Sequence, residues 1–428
     1  MATGPLAGIR VLEFSQIVAA PYCGTHLADM GADVIKIEPF GGEQTRRSGA
    51  IVPLESKGFQ SLNRGKRSLV INLQDPRGQE LIWKLTPLTD VISINFRLGV
   101  AERLRIDYET LRGIRPDLIY WQNTGFGDVG PEKFRAGSDI VAQAYSGLMA
   151  LDEKVDDDGA PNLIASPIAD LATGLAAAMG ISAALFHRAE TGEGQFLSTS
   201  LLRSSLSLLG ATVMREPVHD AILRDPMMEQ LSGLREQGGT WEQILDTRRG
   251  PTQLGGAFRL YYGAYRARGG AVVLGALTQA NRDAMRKVLG IDENYDADPN
   301  YDANDPVKIA EAAEWKQKIR GIFQTRTAAE WVAAFDAAGV PVSAVRVPEE
   351  LADDPQVQAD GMIAELEHAV TGPQRAVGPI VRMSKTPTAT PRAAPALGEH
   401  SIEVLRDFGV DESHIEELCR DGVIYDRN

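Results

Sequence analysis

Short apolar runs alternate with amphipathic stretches along the first 130 residues of the chain. Each run has the length of a strand, and the stretches between runs carry helix signals; the first helix has Pro21 in its first turn and ends at Gly31. Strands separated by helices predict an α/β fold with a doubly wound parallel sheet, whose ligands lie beyond the carboxyl ends of the strands. The predicted strands are IRVLEF (9–14), DVIKIE (33–38), LVINL (69–73), VISINF (91–96) and LIYWQNT (118–124), with helices predicted from Asp75 and near 108–115.

The pattern changes in the second half of the chain. Residues 206–252 are polar and irregular, and a second compact unit follows, with a strand pair in YYGAYRARGGAVVLGAL. GVPVSAVRV (339–347) is a short run rich in β-branched residues, and it is interpreted as a return to the large sheet. The sequence therefore predicts a large Rossmann-like domain made by both chain ends, 1–205 and 339–428, with a linker and a smaller α+β domain at 206–338.

Composition narrows the classes of partner. The chain has 428 residues, of which 43% are hydrophobic and 24% are charged, as in folded globular proteins. Its 58 acidic and 44 basic residues give a net charge of −14, which argues against a nucleic-acid partner or an anionic membrane surface. A small anionic ligand remains compatible with that charge, because a few local bases suffice to hold one. The two cysteines provide no disulfide framework and no paired thiol ligands, which favours a reducing compartment.

The N-terminus and the apolar segments carry no targeting or membrane-spanning signal. MATGPLAGIRVLEF lacks the basic and apolar regions of a signal peptide. The most apolar helical run, at 174–186, is shorter than the roughly 20 residues that a bilayer requires. We therefore expect a cytoplasmic protein without a membrane partner.

Several familiar motifs fail on inspection. GFGDVG (125–130) matches the dinucleotide pattern G-x-G-x-x-G, but Pro131 follows it and it ends the strand–helix series, so a turn is favoured. The six histidines never fall at metal-ligand spacing, and there is no G-x-S-x-G nucleophile elbow. Hydride transfer, zinc-dependent hydrolysis and serine hydrolysis lose support, and the sequence predicts no metal and no permanently bound cofactor.

Asp170 is a single carboxylate at the head of an alanine-rich helix, in SPIADLATGLAAAMG. Two roles are open for it. Asp is a favoured N-cap residue, and the local sequence by itself favours capping. A carboxylate at a helix N-terminus is also a candidate nucleophile, because the helix end stabilises an anion and offers N–H donors to developing oxyanions.

Several bases flank the predicted strands. Lys66 and Arg67 precede LVINL, Arg97 follows VISINF with Arg103 one or two turns later, and Arg135 lies in the loop after the last strand. The usual fate of any one such base is solvated surface charge. Loops at the carboxyl ends of a parallel sheet are, however, where a phosphate-bearing ligand binds, and guanidinium groups suit phosphate oxygens.

The segments of the chain follow an order typical of one family. They are PLAGIRVLEFSQIVAAPYCGTHLADMGADVIKIEP, NRGKRSLVINLQDPRGQELI, INFRLGVAERLRIDYETLR, GFGDVGP, GSDIVAQAYSGLMA, SPIADLATGLAAAMGISAALFHRAETGEGQ and LGEHSIEVLRDFGV. Over some 400 residues this order resembles the class III coenzyme A transferases of CaiB/BaiF type, which include formyl-CoA, carnitine and bile-acid CoA transferases. Each segment alone is a weak signal, whereas their order is highly specific.

The resemblance implies a nucleophilic role for Asp170. In the family this carboxylate attacks an acyl-CoA thioester to form a mixed anhydride, the released thiolate forms an aspartyl-CoA thioester, and the acceptor carboxylate takes over the CoA. A carboxylate nucleophile suits this chemistry, because every intermediate is an activated acyl group and one hard step is split into two. Acyl-CoA and a free carboxylic acid are thus the implied substrates, and the resemblance reverses the preference for capping.

The same matching implies a set of CoA-binding residues. They are Val18, Ala19, Ile71, Asn95, Phe96, Arg103, Leu104 and Arg135, together with the flanking bases Lys66, Arg67 and Arg97. The chain departs from the pattern at Pro39 and Gln74, which stand where some members carry a base for the nucleotide end. Gly255 and Gly256 are the counterpart of the glycine-rich loop that covers the site in some members.

Two other functions stay open beside CoA transfer. The superfamily includes α-methylacyl-CoA racemases, which pair the aspartate with a histidine; Ser138 occupies that position here and cannot exchange a proton in its place. A CoA-binding protein without turnover is the second alternative. The resemblance also implies a homodimer in which two ring-like chains are interlocked.

Overall fold

The computed structural model describes residues 4–252, 258–294 and 305–427, so that Gly255 and Gly256 lie outside the described residues. Inter-residue contacts divide the chain into two compact units, Met1–Arg215 with Ala352–Asn428 and Glu216–Leu351. The sequence-based boundaries stand at 206 and 339.

The first unit contains the following elements. Up to Ser207 they are β1 (Arg10–Phe14), α1 (Ala19–Asp29), β2 (Asp33–Glu38), α2 (Lys57–Asn63), β3 (Arg67–Ile71), α3 (Pro76–Leu85), β4 (Val91–Ile94), α4 (Val100–Arg103), α5 (Tyr108–Arg112), β5 (Ile119–Thr124), α6 (Asp139–Ser146), α7 (Leu148–Asp152), α8 (Ile168–Thr191), β6 (Phe196–Ser200) and α9 (Leu201–Ser207). The second unit contains α10 (Pro217–His219), α11 (Asp225–Glu236), α12 (Trp241–Thr252), α13 (Phe258–Tyr261), β7 (Tyr262–Ala267), β8 (Gly270–Gly275), α14 (Gln279–Leu289), α15 (Pro306–Phe323), α16 (Ala328–Ala337) and β9 (Val342–Ala344). The first unit resumes with α17 (Pro355–Ala359), β10 (Ile363–His368), β11 (Gly372–Val377), α18 (Ser401–Asp407), α19 (Glu412–Arg420) and β12 (Ile424–Tyr425).

The large sheet has the strand order β12-β3-β2-β1-β4-β5-β6. All its pairs are parallel except β12 with β3, so the predicted α/β class with a parallel-dominated sheet is confirmed. Apolar residues pack on both faces of the sheet. Alternate residues of β1 point to opposite faces, so that Leu12 and Phe14 belong to one core cluster and Val11 belongs to the other. The strand order reverses between β1 and β4, which is where such sheets open a crevice for ligands.

The interpretation of residues 339–347 as a return to the large sheet is wrong. β9 pairs antiparallel with β8, in a three-stranded sheet of order β7-β8-β9. A short β-branched run fits either sheet equally well, so its partner is decided by tertiary contacts. Within this unit an aromatic core forms, in which Phe323 stacks on Tyr265 and packs against Trp331. From Glu216 onwards, the polar region 206–252, interpreted as irregular, forms helices α10, α11 and α12 of this unit.

Helix α8 is longer than the apolar run that predicted it. It has 24 residues and is the one helix in the described part of the chain that is long and apolar enough to cross a membrane. The prediction that this segment is too short is therefore wrong. Half of its most apolar stretch is buried, and it packs against α1, α6, α9, β5 and β6, as a core helix of a globular domain does.

Candidate active site

A cavity of about 540 Å³ opens at the carboxyl ends of β1, β4 and β5, at the point where the strand order reverses. Asp170 lines it. Of the predicted CoA-binding residues, the same cavity is lined by Val18, Asn95, Phe96, Arg97 and Arg135. Residues far apart in the chain thus meet around one carboxylate.

Asp170 is the third residue of α8 and is not its N-cap. The helix begins at Ile168, and its cap comes from another element: Asp139, at the start of α6, accepts the N–H groups of Ala169 and Asp170 through Oδ1 at 2.8 and 3.1 Å. The interpretation of Asp170 as the cap is therefore wrong. Because Asp139 satisfies the backbone there, the Asp170 carboxylate is free to face the cavity.

Asp170 is only 8% exposed, and the pKa of its carboxyl group is raised to about 7. Burial is the main cause, because it penalises the charged form, and the negative charge of Asp139 adds to it. A hydrogen bond from the backbone of Ala19 opposes the rise by stabilising the anion. A carboxylate that titrates near neutrality retains more nucleophilic character than an ordinary one, while part of it is ionised at physiological pH.

The hydrogen bond from Ala19 comes from the N-terminus of α1. Val18 makes no side-chain cap there, and Pro21 has no N–H, so the N–H groups of Ala19 and Ala20 have no partner within the helix. The positive end of α1 is thus directed at the carboxylate of Asp170, where it favours negative charge. Ala19 is not among the residues that line this cavity, and its side chain is buried, so it contributes through its backbone.

Close packing of α8 on α1 brings these groups together. A Cβ atom on Gly174 would lie 2.7 Å from the carbonyl oxygen of Ala19 and 3.0 Å from the ring of Tyr22. Real Cβ contacts are essentially never that short, so glycine is required for the two helices to approach this closely. Gly174 lies one turn beyond Asp170, and it controls the distance from the carboxylate to the start of α1.

A second cavity, of about 840 Å³, adjoins the first and shares Gln16 and Phe96 with it. It lies beyond the carboxyl ends of β1, β2 and β3. Three further predicted CoA-binding residues line it, namely Ile71, Arg103 and Leu104. Pro39 and Gln74, which stand in place of a base, line it as well.

Lys66 and Arg67 do not line either cavity. The Lys66 ammonium is fully buried and pairs with Glu13 at 2.8 Å. Arg67 is almost fully buried and binds Asp33 at 2.5 Å, Glu403 at 3.1 Å and Asp407 at 2.6 Å. Their assignment as CoA-binding bases is therefore wrong: they flank the amino end of β3, and their charges are used within the fold.

Some cavity residues were not singled out by the sequence. Gln16, Ile17, Lys133 and Asp139 line the Asp170 cavity. Asp139 lies in GSDIVAQ, a segment quoted for the position of Ser138, and an acid at the start of a helix could have drawn attention to it. For the other three, the chain offers no local signal, because they reach the site through loop conformations. No group of three or more His, Cys, Asp or Glu side chains among the described residues could hold a metal ion.

Comparison with known proteins identifies the family. The model of CoA-transferase family III matches residues 6–401. The mouse succinyl-CoA:glutarate CoA-transferase is 32% identical over 423 residues, covering 98% of this chain and 90% of that protein. The succinyl-CoA:mesaconate CoA-transferase of Haloarcula marismortui is 33% identical over 429 residues, covering 95% of this chain and 97% of that protein.

A solved structure agrees with these sequence relationships. The CaiB/BaiF family protein of Brucella suis superimposes with a TM-score of 0.74 at 27% identity, covering 95% of this chain and 100% of that one. The resemblance to class III enzymes is confirmed. With a family match across nearly its whole length and a carboxylate in the crevice of its parallel sheet, the chain belongs to CoA-transferase family III.

Proposed function

We propose that Asp170 is the nucleophile of this CoA-transferase. Its carboxylate oxygen attacks the thioester carbonyl of the donor acyl-CoA; the C–S bond breaks, leaving an aspartyl acyl anhydride and CoA thiolate. The thiolate then attacks the aspartyl carbonyl, releasing the donor acid and forming an aspartyl-CoA thioester. The acceptor carboxylate attacks that thioester; its C–S bond breaks, which releases CoA thiolate again and leaves a second aspartyl anhydride, now with the acceptor. The thiolate finally attacks the acceptor's carbonyl, which yields the new acyl-CoA and regenerates Asp170.

The observation that carries this proposal is the environment of the Asp170 carboxylate. It is buried at a cavity, it has a raised pKa, and the backbone N–H of Ala19 at the start of α1 donates a hydrogen bond to it. The N–H groups at this helix end are also donors to the oxyanion that develops when a thioester or anhydride carbonyl is attacked. The anionic tetrahedral intermediates would thus form beside the positive end of α1.

We place the substrate CoA across the two adjoining cavities. The thioester end lies beside Asp170, with Val18, Asn95 and Phe96, and the nucleotide end lies in the larger cavity, near Ile71, Arg103 and Leu104. Arg103 supplies a guanidinium for a phosphate group there. Around the smaller cavity, Arg97 is a further cation for phosphate or carboxylate groups, and Arg135 is another that pairs with Glu132 at 3.3 Å.

We further propose that the acceptor is a dicarboxylic acid. The acceptors named for the two relatives, glutarate and mesaconate, are both dicarboxylic acids. Three cationic side chains, Arg97, Lys133 and Arg135, line the same cavity as Asp170. While one carboxylate attacks at Asp170, the second would otherwise be a desolvated, unpaired charge, and a cation in the cavity offsets that cost.

A single incubation tests the transfer reaction. The enzyme is mixed with succinyl-CoA and ¹³C-labelled free acids in heavy water, and the CoA esters are analysed by mass spectrometry. Labelled acyl-CoA that disappears in Asp170→Ala and in Asp170→Asn is the expected result. Deuterium at the α-carbon without acyl exchange would point to racemase chemistry instead, and binding without either product would indicate a protein that only holds CoA.

The acceptor class has its own matched pair of substrates. Glutarate and valerate have the same five-carbon chain and differ in the second carboxylate. We expect kcat/KM for glutarate to exceed that for valerate by roughly two- to fivefold, since Arg97 and Arg135 are exposed and an ion pair with an exposed cation contributes about 0.5–1 kcal/mol. Lys133→Met should narrow that ratio. Equal rates with both acids would contradict the dicarboxylate proposal and leave the transfer reaction itself intact.

We also propose that the chain forms the interlocked homodimer of its family. On α8, the apolar residues Leu175, Met179 and Phe186 are 40%, 72% and 71% exposed on one side of the helix, which is more apolar surface than a solvated helix face usually carries. Subunits of an interlocked dimer cannot separate without unfolding. Tagged and untagged dimers should therefore exchange subunits only after denaturation and refolding, and rapid exchange at native conditions would contradict interlocking.

A further inference from the structure

The segment between β1 and α1 has an unusual backbone. Ile17 has a φ of 71°, in the left-handed region that β-branched residues rarely adopt. Such a conformation persists only when the surrounding structure holds it in place. Ile17 is also the residue immediately before Val18, the N-cap of α1. Whatever holds Ile17 therefore also determines where the first N–H groups of α1 point.

Asn95 holds the residue before Ile17. The Asn95 side chain accepts the N–H of Gln16 through Oδ1 at 3.1 Å and donates to the carbonyl of Gln16 through Nδ2 at 2.7 Å. Both backbone groups of Gln16 are thus bound to one amide. This tie joins the loop after β1 to the loop after β4.

Glu43 holds Ile17 itself. Its Oε2 accepts the N–H of Ile17 at 2.8 Å, and its Oε1 pairs with the ammonium of Lys36 at 3.2 Å. The Glu43 side chain is nearly buried, so this bond to the backbone is made in a medium where a lost partner is costly. One carboxylate thus links the strained residue to a buried cation on β2.

Lys36 is held in place by several buried contacts, so it fixes the position of the Glu43 carboxylate. Its ammonium is fully buried, donates to the carbonyl of Ser15 at 3.1 Å, and lies 3.5 Å from Glu13 in addition to its pair with Glu43. Burial alone would lower the pKa of Lys36, but the three surrounding carboxylates Glu43, Glu13 and Glu38 outweigh it and raise the pKa. Lys36 therefore stays charged and binds both the Ser15 carbonyl after β1 and the Glu43 carboxylate.

We infer that Glu43, oriented by Lys36, is a positioning residue for the CoA transfer reaction: by holding the backbone of Ile17, it directs the N–H group of Ala19 at the Asp170 carboxylate. This inference rests on the proposed role of Asp170 as the nucleophile. Glu43 lines the neighbouring, larger cavity and not the one that contains Asp170, so it acts through the backbone. Glu43, Lys36 and Ile17 thus support the active site without binding a reacting atom.

Two variants separate the geometry of this network from its charge. Glu43→Gln and Glu43→Ala remove the same negative charge, but only Gln keeps an oxygen that accepts the N–H of Ile17. We expect kcat to fall roughly 30- to 100-fold in Glu43→Ala, as for a displacement of about 1 Å at a reacting group, and by less than about fivefold in Glu43→Gln. KM for the acyl-CoA should change by the same factor in both variants, because both remove the same charge from the cavity where we place the nucleotide end.

The pH profile provides a readout that a loss of stability would not move. The acid limb of kcat/KM reports the ionisation of Asp170 in the free enzyme. Loss of the Ala19 hydrogen bond raises the pKa of Asp170, so the limb moves to higher pH in Glu43→Ala relative to Glu43→Gln. The other charges near Asp170, namely Asp139 on α6 and the cavity cations Arg97, Lys133 and Arg135, are the same in both variants.

Asp90 offers a matched control at the amino ends of the strands of the same sheet, directly before β4. Its Oδ2 accepts the backbone N–H of Arg10 at 2.8 Å, and its Oδ1 binds Arg115 at 2.8 Å and Arg188 at 2.9 Å. The chemistry matches that of Glu43, but the tied backbone lies at the amino end of β1. Asp90→Ala and Asp90→Asn should lower the urea midpoint with kcat and the acid limb unchanged.

The strain at Ile17 supplies one more test. Glycine accepts a positive φ without penalty, so Ile17→Gly should restore part of the kcat of Glu43→Ala when the two changes are combined. Loss of kcat and a shifted limb in Glu43→Ala, with neither in Asp90→Ala, is the expected outcome. Equal kcat and equal acid limbs in Glu43→Ala and Glu43→Gln would overturn the inference. If Asp170→Ala itself retains transfer, the proposed function fails instead, whatever the Glu43 variants do.

Discussion

Gly174→Ala should damage catalysis although it adds a better helix former. The new Cβ would lie 2.7 Å from the carbonyl oxygen of Ala19, whereas ordinary contact begins at 3.4 Å, so about 0.7 Å must be taken up by separating α8 from α1. The contacted atom is backbone and cannot rotate away. That displacement acts one turn from Asp170, and it lengthens the hydrogen bond from Ala19 to the carboxylate.

The magnitude follows from two opposing effects. Replacing glycine by alanine within a helix stabilises it by about 1 kcal/mol, and overpacking costs about 1–3 kcal/mol, so Gly174→Ala should be destabilised by roughly 0–2 kcal/mol. A shift approaching 1 Å at a reacting group lowers kcat by on the order of tenfold or more. The assay is steady-state transfer of CoA from succinyl-CoA to glutarate, combined with urea unfolding.

Gly180→Ala is the control on the same helix. Its Cβ would meet only the end of the Leu197 side chain, at 3.2 Å, which can move aside. It should keep full activity and gain up to about 1 kcal/mol in stability. If Gly174→Ala is as active as Gly180→Ala, the spacing between α1 and α8 does not control the active site, and the reasoning is refuted.

The remaining predictions concern charged residues in and around the site. Because the pKa of Asp170 is raised from 3.8 to about 7, the folded state retains a proton that the unfolded state loses, so stability falls between about pH 4 and pH 7. Asp170→Asn should therefore be more stable than the parent by on the order of 2–4 kcal/mol at pH 7.5 but not at pH 4. Urea unfolding at both pH values measures this difference. Asp139→Asn keeps an oxygen for the N-terminus of α8 but removes a charge that raises the pKa of Asp170, so the acid limb of kcat/KM should move to lower pH. Asp139→Ala should in addition lose the helix cap and about 1 kcal/mol of stability. An unmoved acid limb in Asp139→Asn would contradict this prediction. Lys66→Met leaves Glu13 partly unpaired and should cost about 3 kcal/mol of stability, with KM for acyl-CoA unchanged. Arg103→Met should raise KM for acyl-CoA, with stability unchanged. A raised KM in Lys66→Met would restore Lys66 as a CoA-binding residue.

The sequence by itself determined the α/β class and the family. Apolar runs of strand length, separated by stretches with helix signals, predicted the strands that form the parallel part of the large sheet as far as β5, because burial on both faces requires nearly continuous apolar residues there. The edge strands β6 and β12 were missed. An edge strand needs less apolar sequence, and β12 has only two residues, so neither leaves a distinct pattern.

Only the tertiary structure decided how the charged residues are used. From the sequence, Lys66, Arg67 and Arg103 are equivalent bases near strand ends; in the fold, the first two are buried in ion pairs and the third lines a cavity. Likewise, the cap of α8 comes from Asp139, and Ile17 is held by Glu43, across 26 positions of the chain. A hydrogen bond or ion pair depends on which groups meet in space, and partners that are distant in the chain leave no pattern in the local sequence. The burial of apolar residues, in contrast, leaves a local periodicity that can be recognised from the sequence.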